Sequence, residues 1–437
     1  MSARESSATS AAPAAPVAPA APRSRGWLTN VSLLIGGQFI SLFGSSLVQY
    51  AVWWDLALRS NSVITIMWAT IFGMLPQALI AVFGGAWADR LPRRLLIVLP
   101  DAMIALVTLA LAIGYATGNA QTWFVFLVLF IRSIGSGIQG PAVSAFVSEV
   151  TPTEHLMRVN SLNGTLQSVL TIVSPAISAV LIGRFALQSV LFVDVVTAVI
   201  GIVCILMIRG VRSAAVEHSE SSSTLADIRE GLRYTMNHAI VRRILIAFTL
   251  GCLICASPTM LCSIFVNRNF ADKPFDLWFV QLTSITDKLG FFELTFGIGM
   301  VVGGMVMTAW GGFKRRMVSV GVGTIGLGIA NIFMGLSADS LMASMWVYVI
   351  SFVLFGLVLP LINAPTYTYM QERVEPSMQG RVFGLINAAT SFSMPLGMLI
   401  AGPLSASMPI EWMFIFSGVL TILVGVWALW SNEAVEE

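Results

Sequence analysis

The stretch Gly84-Gly85-Ala86-Trp87-Ala88-Asp89-Arg90-Leu91-Pro92-Arg93-Arg94 is a short charged turn between two long apolar runs. Its glycines let two helices approach closely, and an acid sits among bases. The flanking runs, about 62–87 and 95–117, are each long enough to cross roughly 30 Å of hydrocarbon as a helix. Similar runs recur along the whole chain. Of its 437 residues 56% are hydrophobic and only 11% charged, with a mean hydropathy of +0.84. A soluble domain carries about 25% charged residues, so this composition reads as an all-α membrane bundle and excludes a water-soluble fold.

Breaks at Gly, Pro, Asn and charge clusters divide the chain into twelve helices. They cover about 31–58, 62–87, 95–117, 121–148, 158–182, 187–209, 241–267, 290–310, 317–337, 341–369, 381–404 and 411–431. The implied units are a disordered tail (1–27), a six-helix half (28–209), a polar linker (210–240), a second six-helix half (241–431) and a short tail (432–437). The linker contains a helix-like stretch from Leu225 to Met236. The first residues are rich in Ala, Pro and Ser without an apolar core, so they read as a tail and not a signal peptide. Lys and Arg gather in alternate loops, at Arg90, Arg93 and Arg94, at Arg242 and Arg243, and at Lys314, Arg315 and Arg316. The other loops hold only Arg59, Arg184, Arg268, Lys273 and Lys288. The positive-inside bias therefore puts both termini in the cytoplasm.

The halves repeat one another. Arg158-Val159 followed by Leu162 matches Arg381-Val382 followed by Leu385, and Gly84-Gly85 before Arg93-Arg94 matches Gly303-Gly304 before Lys314-Arg315-Arg316. Duplicated six-helix halves are the pattern of secondary transporters, with the substrate site between them near the bilayer midplane.

With that framework in place, the turn resembles the signature Gly-x-x-x-Asp-Arg-x-x-x-Arg of the major facilitator superfamily. Gly85, Asp89, Arg90 and Arg94 fit its spacing, while Pro92 stands where glycine is common. The resemblance implies two pseudo-symmetric halves, and a gating role for these four residues at the cytoplasmic helix ends. Within the superfamily the chain is similar to the macrolide-efflux branch of drug and proton antiporters. The segments carrying that likeness include Leu129 to Gly135, Val173-Ser174-Pro175-Ala176, Glu293 to Gly304, Gly380 to Phe383 and Met394 to Gly397. Siderophore exporters share the same likeness. Drug exporters carry a Gly-Pro-x-x-Gly-Gly element in helix 5; Ser174 to Ala179 keeps Pro175, the expected kink, and replaces the glycines with small residues.

An ionisable group within a span costs about 2.5–3.5 kcal/mol on insertion scales, so each invites a functional reading. Arg132 falls near mid-membrane in helix 4, on one face with Ser136 and Gln139. The resemblance associates it with proton transfer. Asp194 lies about two turns into helix 6, and Asp55 and Glu293 near the outer ends of helices 1 and 8. By resemblance Arg132, Asp194 and Glu293 are the proton-coupling candidates. Asp101 is assigned to the Asp89 turn. Gln38, Gln49, Asp55, Asn163, Gln167, Asn363 and Asn387 are the candidates to line the substrate cavity, although polar stripes more often mediate helix packing than ligand contact.

No P-loop is present, His155, His218 and His238 lack metal-ligand spacing, and Cys204, Cys252, Cys255 and Cys262 sit in apolar segments. No cofactor, metal or nucleic-acid partner is expected, nor enzymatic chemistry. The expectation is a monomeric, proton-coupled exporter of a hydrophobic or amphipathic small molecule in a bacterial plasma membrane. An exporter of siderophores or other metabolites, an uptake symporter and a non-transporting membrane sensor remain as alternatives.

Overall fold

The computed structural model describes residues 26–209, 224–277, 280–313, 315–338 and 344–430. Residues 1–25 of the expected tail 1–27, the expected tail 432–437 together with Ser431, linker residues 210–223 and Lys314 lie outside them. The first six helices are α1 (Trp27–Ser60), α2 (Val63–Arg90), α3 (Arg93–Ala116), α4 (Thr122–Val150), α5 (Leu156–Arg184) and α6 (Leu187–Met207). A short helix, α7 (Thr224–Asn237), precedes α8 (Ala239–Ile254), α9 (Ala256–Phe270), α10 (Ile285–Trp310), α11 (Arg316–Leu336), α12 (Met345–Arg373), α13 (Pro376–Leu404) and α14 (Ile410–Trp430). Among the described residues twelve segments are long and apolar enough to cross a membrane, with α8 and α9 forming one of them, Val241–Phe270. Helices are what such sequences must form, because hydrocarbon offers the backbone no partner and each amide has to be satisfied within its own segment.

Three details depart from expectation. The seventh span is not continuous: it breaks at Cys255, between α8 and α9. Pro258 supplies the reason, since it has no N–H to donate to the carbonyl of Ile254. The signature stretch is mostly helix and not turn. Gly85, Asp89 and Arg90 belong to the last turns of α2, and Leu91 with Pro92 makes the whole connection to α3. A small antiparallel hairpin, β1 (Phe275–Leu277) on β2 (Val280–Leu282), joins α9 to α10.

Packing repeats between the halves. In the first, α2 lies on α4, α3 on α4 and α6, and α1 on α6; in the second, α10 lies on α12, α11 on α12 and α14, and α14 on α8 and α9. The halves meet through α2 with α13 and α5 with α10, the same pairing used twice. Both described chain ends fall at one end of the bundle, here the terminal end; Ser60 and Val63 mark the other, the distal end. Small residues make the close approaches. Gly321, Gly328 and Gly335 recur every seven residues along α11 and face the carbonyls of Gly425, Gly418 and Glu411 on α14. Lipid tails are as apolar as leucine, so van der Waals contact between closely packed backbones holds such a seam together.

A side chain at Gly328 would meet the Gly418 carbonyl and backbone of α14, which cannot give way. Gly328→Leu is therefore expected to lower the melting temperature of the purified protein, with overpacking costing about 1–3 kcal/mol or more. Gly304→Leu, where nothing lies within 4 Å, is the control. Thermal unfolding in the same detergent that leaves both variants equal to the parent would refute the seam's role.

Candidate functional site

The first half buries a polar network in two layers. In the upper layer Arg132 of α4 donates through Nη1 to Asp194 Oδ2 of α6 and to Thr108 Oγ1 of α3. Its Nη2 reaches the Ser45 carbonyl of α1 at 3.2 Å. Asp194 is wholly buried and accepts further from Ser45 Oγ at 2.8 Å and Thr108 Oγ1 at 3.1 Å. One ion pair thus ties together four helices. Close packing supports it, because Gly44 of α1 sits against Thr197 and the backbone of Asp194.

In the lower layer Asp101 Oδ1 of α3 accepts from Ser41 Oγ of α1 at 3.1 Å and from Gln139 Nε2 of α4 at 2.8 Å. Gln139 also donates to Gln38 Oε1 at 3.2 Å. Seven residues separate Asp101 from Thr108 and Gln139 from Arg132, so the layers stand about 10 Å apart along the helix axes. Asp101 was assigned to the Asp89 turn on its sequence position. The structure corrects this: it is 2% exposed and points into the helical core. Gln38, a cavity candidate, is likewise turned inside the half, where Gln139 holds it.

Asp55 also leaves the cavity set. At the distal end it accepts from Tyr115 Oη at 2.7 Å and pairs with Arg59 at 2.7 Å, and the Arg59 guanidinium lies 4.9 Å from the centre of the Tyr115 ring. This cluster lines a small pocket formed by α1, α3 and α4, within one half. Glu293 stands apart from the Arg132 pair, on α10, partly buried and within electrostatic reach of Tyr50, Cys262 and Tyr348. Lys288, counted from sequence among the outer loops, is buried in the first turn of α10. Its ammonium donates to the carbonyls of Phe270 and Ala271 at 2.8 and 3.0 Å, where α9 ends.

Principal contacts between the halves sit at the distal end. Gly402 of α13 packs on Met67, Gly290 on Ala179, Gly183 on Thr286 and Gly297 on Ile172. Arg268 of α9 crosses between the halves and donates to Asn61 Oδ1 at 3.2 Å and to its carbonyl at 2.7 Å. Asn61 ends α1 in the left-handed region, with φ 46°. Toward the terminal end the facing helices turn polar residues to open space. Gln167 on α5 and Asn387 on α13 are exposed, Asn163 and Asn363 partly so, and Gln49 of α1 is partly buried. Pro175 is buried within α5, which continues as helix through it.

At the signature, Arg94 donates to the Leu206 carbonyl at the end of α6, and Arg93 pairs with Glu149 of α4 at 3.2 Å. The side chains of Asp89 and Arg90 lie outside the described set.

A family model described as the Major Facilitator Superfamily matches residues 34–285 and 280–437. The chain belongs to that superfamily. Among similar proteins, Macrolide efflux protein A of Streptococcus pyogenes is 26% identical over 407 residues, covering 93% of this chain and 97% of that one. The protein of the same name from Enterococcus faecalis is 27% identical over 329 residues, covering 75% and 97%. Multidrug efflux pump Tap of Mycolicibacterium fortuitum is 21% identical over 395 residues, covering 88% and 91%. Among solved structures a POT family transporter in complex with 5-aminolevulinic acid superposes with a TM-score of 0.73 at 15% identity, covering 93% of this chain and 96% of that one. The superfamily fold accounts for the repeated packing of the two halves and makes this chain a multi-pass membrane protein of a transporter family.

Three partners in the superfamily bundle were missed by reading motifs. Thr108 has no motif of its own, and its signal was the seven-residue step from Asp101. The Glu149 partner of Arg93 lies 56 residues away on another helix. The Arg268 bridge joins the last turn of α9 to the cap of α1, which only the folded halves bring together.

Arg268→Ala removes the bridge to Asn61 and is expected to favour opening of the distal end. A hydrogen bond to a charged group is worth about 1.5–3 kcal/mol, reduced here by solvent, so the shift is several-fold. Spin labels at Ser60 and Asp272 report it as a larger population of long distances. An unchanged distance distribution would remove the bridge from the gating apparatus.

Proposed function

We propose that the chain is a proton-driven exporter of a macrolide-like, hydrophobic or amphipathic small molecule, set in a bacterial plasma membrane with both termini in the cytoplasm. The buried Arg132–Asp194 pair carries this reading. Such a pair is weak evidence of stabilisation, because desolvation opposes its attraction, whereas removing one partner's charge costs about 3–5 kcal/mol. A proton taken by Asp194 cancels the carboxylate charge and leaves the guanidinium uncompensated. Arg132 then has to find another partner, and that need links protonation to a change of conformation. The names of the similar efflux proteins support the class of cargo and the outward direction.

On this reading the Lys and Arg bias makes the terminal end cytoplasmic, and the described arrangement faces inward. Asn163, Gln167, Asn363, Asn387 and Gln49 would meet cargo entering from the cytoplasm. Glu293 is the proton-coupling candidate of the second half. Gly85, Asp89, Arg90 and Arg94 gate the cytoplasmic helix ends in the outward-facing state. A free-standing monomer satisfies every element of this scheme.

The test is uptake of radiolabelled erythromycin into proteoliposomes with an acidic lumen, measured against protein-free vesicles that correct for passive trapping of this weak base. The parent protein should accumulate the drug as protons leave. Arg132→Ala and Asp194→Asn should each cut the pH-driven component about tenfold or more, while inserting normally. Parent-level uptake by both variants would sink the coupling role. Parent vesicles no better than protein-free ones, across macrolides, siderophores and dyes, would sink the export reading itself.

A further inference from the structure

We infer that Asp101 is a second proton-binding site, whose occupancy depends on the charge held at Asp194. The inference rests on the proton-coupled reading of the Arg132 pair and adds to it a group that neither motif nor family likeness marks. The first observation is a count of charge. The two layers hold two carboxyls, Asp101 and Asp194, and one cation, Arg132, and Arg132 is committed to Asp194. Neutrality of the buried network requires one proton more, and Asp101 is the carboxyl left to hold it. What faces Asp101 supports this. From α1 it meets Gln38 and Ser41, from α4 Gln139, and beyond them lie Arg132 and the one charge of α6, Asp194. Arg93 and Arg94, on its own helix, start that helix about two turns away and are engaged at Glu149 and at the Leu206 carbonyl.

The second observation is an incomplete hydrogen-bond set. Asp101 Oδ2 and Gln38 Nε2 are both buried and have no partner, although the other oxygen of the same carboxyl accepts twice. In a well-satisfied structural contact such orphans are rare. Here they mark the oxygen that gains and loses the proton, with the Gln38 amide placed to donate to it once it is charged. A third observation fixes the route. One to two turns nearer the terminal end, Leu34 and Ile97 lie below Gln38 and Asp101, with Ala142 and Phe146 below Gln139, in a buried apolar layer. That layer closes the axis beneath Asp101. Exchange therefore runs upward toward Arg132 and Asp194, or sideways between α1 and α4, and the charge on one carboxyl raises the cost of a charge on the other.

Infrared difference spectra of the full chain in lipid bilayers, titrated from acid to alkaline pH with no cargo present, decide the matter. The parent should show a carboxylic-acid C=O band that disappears on alkalinisation, and Asp101→Asn should lack it. Asp194→Asn removes the competing carboxyl and frees Arg132, so the Asp101 band should vanish at a lower pH, by about one unit or more. Spectra of the parent and Asp101→Asn that superimpose would overturn the site. An Asp101 band unmoved by Asp194→Asn would overturn the dependence of Asp101 on Asp194. Should Asp101→Asn fail to fold, Asp101→Ser removes the acid with a smaller polar side chain and reads the same way. Erythromycin uptake under a pH gradient separates the two readings. Parent uptake with superimposable spectra overturns Asp101 alone, and a lost Asp101 band without parent uptake of erythromycin or of any other macrolide, siderophore or dye supports Asp101 and overturns antiport.

Discussion

A guanidinium and a carboxylate buried in one half of the bundle hold each other in place, and much of that half is arranged around them. Neither is tolerable alone in an apolar interior. Arg132 and Asp194 consequently draw α4 and α6 together, and the remaining hydrogen bonds recruit α1 through Ser45 and α3 through Thr108. Four of six helices are pinned at one point. Any movement that pulled them apart would strand a charge, so the half moves as a unit.

Contacts between the halves are of another kind. They consist of small residues against side chains, such as Gly402 on Met67 and Gly290 on Ala179, with the solvent-facing Arg268–Asn61 bridge at the rim. None of the contacts just named holds a buried charge. A bundle whose internal ties are expensive and whose mutual ties are cheap divides its motion at the seam between halves, which is what access from alternate sides requires.

Much of the fold was legible in the sequence because membrane spans are written in long apolar runs. The helix-6 reading of 187–209 and the observed Leu187–Met207 differ by two residues at one end. What escaped was local. Pro258 broke the seventh span inside an apolar stretch where hydropathy gives no cue, and α2 ran on through the charged signature because its acid and bases do not stop a helix. Of the site, Arg132 and Asp194 stood out as charges within spans, yet nothing in the sequence pairs residues 62 positions apart. Asp101 was placed with the turn on its depth alone. Facing direction, which needed the neighbouring α1 and α4, sends it to the core. For Gln38 the sequence left both readings open, since a polar stripe looks alike whether it meets cargo or another helix, and here Gln139 holds it inside the half.

The two halves share topology and divide chemistry. Buried polar groups of the first half form a connected network, whereas the second packs around aromatic rings. Phe265 stacks on Tyr348 at 5.3 Å and on Phe414 at 4.9 Å, with Phe292 edge-on to Tyr348 at 4.8 Å. These rings are spent on packing the second half. Its buried Lys288 sits at the distal end, capping α9 and leaving the interior aromatic. The ring cluster of Phe265, Tyr348, Phe414 and Phe292 offers a fixed wall, and Glu293 on α10 is the ionisable group of that half that the proposed function uses. The buried network of two carboxyls and one guanidinium in the first half has more than one way to place a proton, and under the proposed coupling it is there that an ion gradient would act.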